Sequence, residues 1–287
     1  MLIKRNILLF FRDRSNVFFS VLSVLIMLAL YVLFLRNMME DGLRMALGFD
    51  APEISVVMGS ITFAGIAAVI SVTSSLGALR ALVDDRGGAS KDFLTSPVSS
   101  GRLTRSYMLA SAVVSLIMTV IALILSVIFI YTRGGSLPDP ADWVRLMLTI
   151  VLSVLAANSF MFFVTSLLKS SGAFATFSTL LGTLIGFLMG VYMPIAVMPT
   201  AVQWLIRLFP MTHAAAMFRQ ILADGALAEL FANAPPEALG GFREAYGVVL
   251  VYGNFSAGFW GSALALAGSA LLFYVLSLAM IKARRRP

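Results

Sequence analysis

Six long apolar runs alternate with charged stretches along the chain, at positions 17–35, 54–79, 106–131, 144–168, 173–193 and 255–281. Each holds roughly 19–27 residues, and a helix rising 1.5 Å per residue needs about 20 to cross the hydrocarbon of a bilayer. Backbone polar groups in lipid must be paired within the segment, so each run predicts a helix. The fold class is therefore all-α, an integral membrane protein with six transmembrane helices.

The polar stretches divide the rest. Residues 1–16 set Leu2, Ile3, Ile7, Phe10 and Phe11 on one helical face, with Lys4, Arg12 and Arg14 reaching outward, which predicts an N-terminal helix lying in the membrane interface. The stretch 36–53 carries Glu40, Asp41, Asp50 and Glu53 and reads as a polar loop. The segment 80–105 begins as a helical continuation of the second run, breaks at Gly87-Gly88 and turns at Ser96-Pro97. Between 194 and 254, Pro194, Pro199 and Pro210 separate apolar pieces too short to span. There 201–209 reads as a re-entrant or interfacial piece, and Thr212 as the cap of a helix running through Leu230. One transmembrane domain, 1–287, follows: interfacial helix 1–16, spans one to five over 17–193, an outer re-entrant and extracellular region over 194–254, and span six over 255–281.

Composition agrees. Apolar residues make up 60% of the chain and mean hydropathy is +0.94, whereas soluble domains run at about 45–50% apolar. There is no cysteine and one histidine, His213, which excludes disulfides, thiolate chemistry and Cys/His metal cages. The first run is long and leads into a charged stretch with no small-residue cleavage pattern, unlike a cleaved signal peptide.

Charge orients the spans. The N-terminus, the 80–105 loop, the 169–172 turn and the C-terminus hold 14 of the 21 Lys and Arg residues, and the other loops hold 7. That bias places both termini in the cytoplasm of a multi-pass inner (plasma) membrane protein. No basic face with stacking aromatics exists on a soluble module, so nucleic acid is excluded as a partner, and membrane lipid is the expected surroundings.

The deep parts of the runs contain no Asp, Glu or Lys. Carriers driven by protons or sodium usually bury such groups as the coupling device. The chain also lacks a G-x-x-x-x-G-K-[ST] phosphate cradle. If the chain pumps anything, the energy comes from another protein.

Several residues are candidates for function. Arg80, Asp84, Asp85 and Arg86 offer pairing groups to a soluble partner, while Leu82, Val83, Phe93 and Leu94 offer apolar contacts; the alternative is a solvated connector. Asn158 is the amide well inside a span and suits either a substrate pathway or a helix–helix hydrogen bond. Met58, Met161, Phe162, Phe163, Phe187, Met189 and Tyr192 suit a soft wall for lipophilic compounds, or ordinary packing. Gly182, Gly186 and Gly190 recur every four residues, a small-residue ridge for close helix approach. His213 has no second histidine near it, so a cap or interface hydrogen bond outweighs a metal or acid–base role, and no metal site is expected.

The stretch 186–220 reads Gly-x-Tyr-x-Pro, then a Met-Pro pair, an amphipathic piece, and a Pro with Thr-His and an Arg beyond it. Its Gly190, Tyr192, Pro194, Pro199, Pro210, His213 and Arg219 resemble the signature of ATP-binding-cassette (ABC) type-2 exporter permeases. Leu94-Thr-Ser-Pro97 after Arg86-Gly87-Gly88 resembles the inner loop of that family. The resemblance implies six spans, inside termini, a coupling helix between spans two and three, and re-entrant helices before span six. It implies a separate cytoplasmic ABC ATPase subunit carrying ATP and Mg, no cofactor or ATPase activity on this chain, and a second permease copy or a homologous permease. Its cargo would be drugs, antibiotics or other lipophilic small molecules moved out of the cell. The alternative is lipid-linked polysaccharide or another envelope polymer. A membrane-embedded enzyme is a different class, poorly served by spans whose Ser, Thr and Asn have no His, Asp or Glu beside them.

Overall fold

The computed structural model describes residues 2–87, 100–168 and 170–283. Its helices are α1 (Leu2–Arg12), α2 (Arg14–Leu30), α3 (Arg36–Leu47), α4 (Glu53–Gly87), α5 (Ser100–Thr132), α6 (Pro140–Leu167), α7 (Ser171–Leu188), α8 (Thr200–Leu208), α9 (Pro210–Leu222), α10 (Asp224–Leu230), α11 (Pro236–Ala245) and α12 (Phe259–Ala283). A two-stranded hairpin, β1 (Leu250–Tyr252) and β2 (Phe255–Ala257), precedes α12. The all-α membrane class holds: α4, α5, α6, α7 and α12 are long and apolar enough to cross a bilayer. The first apolar run is α2, continued through a π-helical turn at Tyr31–Leu35 into α3.

α4 is the axis of the bundle. Its sequence, AGIAAVISVTSSLGA over 64–78, is apolar all round and rich in small residues, which suits a helix surrounded by others. Of its apolar stretch 89% is buried, against 22% for α7 and 17% for α12, so those two lie at the periphery. The α4–α5 seam is held by side-chain hydroxyls. Ser111 donates to the Ser75 carbonyl at 2.9 Å, Ser115 to the Ser71 carbonyl at 2.8 Å, and Ser126 to the Phe63 carbonyl at 3.3 Å. From α6, Ser153 bonds the Ser71 hydroxyl at 2.8 Å. Hydroxyls between antiparallel spans keep polar groups paired where water is absent.

The charge asymmetry gives the bundle a basic end, with α1 and the 80–87 tip of α4, and an acidic end, with α3 and the 194–257 region. At 35 residues, α4 is about 52 Å long and outruns the roughly 30 Å of a bilayer's hydrocarbon.

Local expectations need correction in several places. The 36–53 stretch is largely helix: Arg36 pairs with Glu40 at 2.9 Å and Arg44 with Glu40 at 3.4 Å, both one turn apart, which favours α3 over a loop. α1 turns Asn6 and Phe10 inward and leaves Ile3, Leu8, Leu9 and Phe11 exposed, so its apolar face is split between core and surroundings. Thr212 is not a cap; α9 starts at Pro210, a residue suited to the first turn because it has no N–H to leave unpaired, and it ends at Leu222. The sixth run starts as strand: Tyr252 pairs with Phe255, and Gly253 adopts φ +61° at the turn. The Val-Tyr-Gly-Asn-Phe sequence carried that hairpin signal.

Candidate transport groove and the residues that hold its ends

A groove of about 900 Å³ runs between α2 and α7 from one end of the bundle to the other. Leu22, Ile26 and Leu30 of α2 form one wall. The other wall is α7, which presents Ser178, Thr179 and Thr183 among Phe174, Gly182 and Phe187. The Thr179 and Thr183 hydroxyls donate to the Ala175 and Thr179 carbonyls one turn back, so their hydrogen-bonding capacity is partly met within the helix. The lining is therefore mostly apolar, with a hydroxyl stripe on one side.

The basic end of the groove is formed by Arg80, Asp84 and Ser171. Arg80 and Asp84 are half exposed and pair across one helical turn at 3.4 Å. Ser171 donates to Asp84 at 3.4 Å, and Ser170 caps α7 by accepting from the Ala173 N–H at 3.1 Å. A carboxylate beside the N-terminus of α7 also suits that helix's dipole. The adjacent Asp85 turns about 100° away and does different work. It accepts from Arg5 at 3.2 Å and from the Tyr107 hydroxyl, so it ties α1 and α5 to α4. Asn6 bonds Ser106 at 3.4 Å beside it. Burial works against the charge on Arg5, yet the hydrogen bond and charge of Asp85 outweigh it and its pKa is raised.

At the acidic end Tyr192 closes the groove. Its ring covers Gly186, where a Cβ would collide with it, and meets Phe187 edge-on at 4.9 Å between centroids. The backbone behind it is fixed by Arg219, which has no solvent exposure. Its Nη2 donates to the Met189 and Gly190 carbonyls at 2.7 and 2.8 Å, its Nη1 to Gly247 at 3.3 Å, and its Nε to Ile61 at 3.2 Å. These acceptors include the carbonyl end of α7, which a cation suits. Gly190 takes φ +60°, a left-handed turn that glycine adopts freely, and lies beside Ile195 and Arg219.

A second polar knot stands behind it. Tyr252 donates its one O–H to the Arg207 carbonyl at 2.6 Å. His213 Nε2 stands 3.0 Å from the Tyr252 oxygen and Nδ1 3.2 Å from Ser262 Oγ, whose hydroxyl also reaches the Ala257 carbonyl at 3.4 Å. The ring joins α9, β1 and α12 as an interface hydrogen-bonding group. Burial pulls its pKa down to about 4, so it is neutral at pH 7. Pro194 and Pro199 begin the short helical turns at Ile195–Val197 and α8.

The structure separates residues that the sequence grouped together. Of the eight candidate pathway residues, Phe187 and Tyr192 line the groove, while Met58, Met161, Phe162 and Met189 are buried in packing clusters. Asn158 donates to the Met108 carbonyl at 3.0 Å, the helix–helix bond that was one of its two readings. Gly182 lines the groove, Gly186 receives Tyr192, and Gly190 serves Arg219, so the glycine ridge is not one seam. Leu82 and Val83 are buried on the inner side of α4, so neither presents an exposed apolar contact. The side chain of Arg86, and Phe93, Leu94 and the Ser96-Pro97 turn, lie outside the described residues.

The sequence reading missed the burial of Arg219. An Arg in a short amphipathic piece looks peripheral until its carbonyl partners, 28 to 158 residues away, are brought to it. Among the described residues, no group of three His, Cys, Asp or Glu stands ready for a metal ion.

A family model described as ABC-2 family transporter protein matches residues 52–279, from the start of α4 into α12. No curated protein matches the chain.

Proposed function

The chain belongs to the ABC-2 transporter family, and from that premise we propose that it is the permease of an ATP-driven exporter of lipophilic small molecules. Membership makes it a multi-pass membrane transporter component and not itself a catalyst. The finer reading assigns the energy to a separate cytoplasmic ATPase that binds ATP and Mg, with two permease copies (or this one and a homologue) per transporter. The basic end then faces the cytoplasm of the inner membrane, as the Lys and Arg bias favours.

The groove carries this reading. At about 900 Å³ it falls at the upper end of pockets that take drug-sized ligands, and its apolar walls with spaced hydroxyls favour a lipophilic compound over a sugar polymer. Its basic end is bounded by Arg80 and Asp84, the exposed charged pair on the α4 tip. A soluble motor pressing there would act directly on the groove-lining helices, a rigid-body bias between access states. Arg219 does not supply a competing proton coupler, because a guanidinium stays charged and every acceptor it meets is a neutral carbonyl.

Affinity purification from its own cells should bring down an ABC ATPase, and the pair in proteoliposomes should move a lipophilic dye only with ATP. Thr179→Trp, which fills the groove from an exposed position, should reduce that movement while leaving the protein's melting temperature unchanged. Uphill transport by this polypeptide alone, or wild-type transport by the filled variant, would defeat the proposal.

A further inference from the structure

The first wall of the groove is lined by Leu22, Ile26, Leu30, Phe34 and Met38, each four residues after the last. A continuous α-helix turns about 100° per residue, so a stripe with that spacing drifts by about 160° between positions 22 and 38. Met38 would then face nearly opposite to Leu22. The π-helical turn at Tyr31–Leu35 removes most of this drift; in it the Arg36 N–H donates to the Tyr31 carbonyl, five residues back. Such a turn takes up one extra residue, sets everything beyond it back by about 100°, and leaves Met38 about 60° from Leu22. The buried face of the same segment obeys the same correction. Met27, Tyr31 and Met39 are all buried, although Met27 and Met39 would stand about 120° apart on a plain α-helix and stand about 20° apart with the extra residue. Tyr31 pins the turn to α4: its ring meets Phe63 edge-on at 6.2 Å between centroids, and its hydroxyl would lie 3.7 Å from a Cβ on Gly59.

We propose that the π-turn is a length gauge for the cargo, and that the groove accepts long single-chain amphiphiles, head at Arg80, Asp84 and Ser171 and tail end at Phe34 and Met38. This deepens the transport reading and rests on it. With the turn in place the wall from Leu22 to Met38 is about 24 Å long, and Ser171 to Phe187 on α7 matches it. An extended hydrocarbon advances roughly 1.3 Å per carbon, so a tail of about 18 carbons fills that length and one of about 10 ends near Leu30, where the turn begins. The charged lining stands at the basic end alone, and the Arg80–Asp84 pair offers both signs to a zwitterionic head. Phe34 and Met38 are 67% and 57% exposed, so a tail can reach them.

The chain has no cysteine, so a single introduced one reports one position. Leu22→Cys, Ile26→Cys, Phe34→Cys and Met38→Cys, with Leu33→Cys as an exposed control outside the groove, are labelled with N-ethylmaleimide in phosphatidylcholine nanodiscs. Labelling rates are compared with octadecylphosphocholine, with decylphosphocholine and with neither. At about 80% occupancy the octadecyl compound should slow labelling about fivefold at positions 22, 26, 34 and 38, and the decyl compound only at 22 and 26. Position 33 should respond to neither. Equal protection of 34 and 38 by both tails, octadecyl protection that stops at 26, or no protection anywhere would overturn the gauge. So would groove positions already blocked before any amphiphile is added, because another surface, such as a second copy of the chain, would then cover the groove. Any of these failures beside ATP-driven dye movement sinks the gauge and keeps the transport reading. The expected pattern without that movement keeps the amphiphile site and sinks the transport reading.

Discussion

The guanidinium of Arg219 rests against Gly65: a Cβ at position 65 would lie 2.9 Å from its Nη2 atom and 2.7 Å from Val191 Cγ2. A buried charge from one short helix thus depends on a missing side chain in the middle of the central one. Arg219→Ala should destabilise the protein by about 2–4 kcal/mol, because carbonyls of α4, the α7 end and the 247 turn lose their donor. Gly65→Ala should cost about 1–3 kcal/mol through crowding. Unfolding in detergent, followed by loss of the monodisperse peak, reads both. A wild-type melting temperature for Arg219→Ala would show that the hub is not structural.

Asp84 and Asp85 should separate by role. Asp85→Asn weakens the Arg5 pair, in which Arg5 is 39% exposed, and the bond from Tyr107. Discounted for that exposure, the loss should be about 1 kcal/mol, and Arg5→Ala should not add to it fully. Asp84→Asn, half exposed, should change stability by less than about 0.5 kcal/mol. On the proposed reading Asp84→Asn and Arg80→Ala instead weaken capture of the ATPase, measured by co-purification. Equal stability losses at 84 and 85 would contradict this division.

Gly186 and Tyr192 should behave as a coupled pair. Gly186→Ala forces the Tyr192 ring off the groove end and off its edge contact with Phe187, a contact worth about 0.5–1.5 kcal/mol. In the double variant with Tyr192→Ala the collision is gone, so the added methyl should cost much less than it does alone. A double-mutant cycle by thermal unfolding measures this, and simple additivity would argue against the observed contact.

His213, on the short helix α9, makes stability pH-dependent with a known sign. Its pKa in the folded protein, about 4, lies below the ordinary value of about 6.5. Between those values the unfolded chain binds the extra proton. Stability is therefore full above about pH 6.5, falls as pH drops toward 4, and levels off below, a total of at most about 3 kcal/mol. Melting temperatures from pH 7.5 to 4.5 should decline less steeply for His213→Gln than for the parent. Parallel curves would remove His213 as the cause.

The apolar runs, the all-α class and the charge asymmetry were legible in the residue order. A helix in lipid satisfies its backbone internally, so the decision to form one is local and appears as run length and composition. Even the Val-Tyr-Gly-Asn-Phe hairpin was legible in principle, since turn chemistry is local too, although the apolar run beside it masked the signal.

What tertiary structure alone decided is which faces meet. Successive residues on a helix point about 100° apart, so Asp84 and Asp85 look equivalent in the sequence until α7 and α1 arrive on different sides of α4. Leu82 and Val83, read as apolar contacts for a soluble partner, are buried for the same reason. The expectation of charge-free spans holds for the spans themselves, yet α9 lays the fully buried Arg219 against α4. Local pairing chooses the element; the neighbours of each face are chosen by packing between segments far apart in the chain, and no window of residues contains that choice.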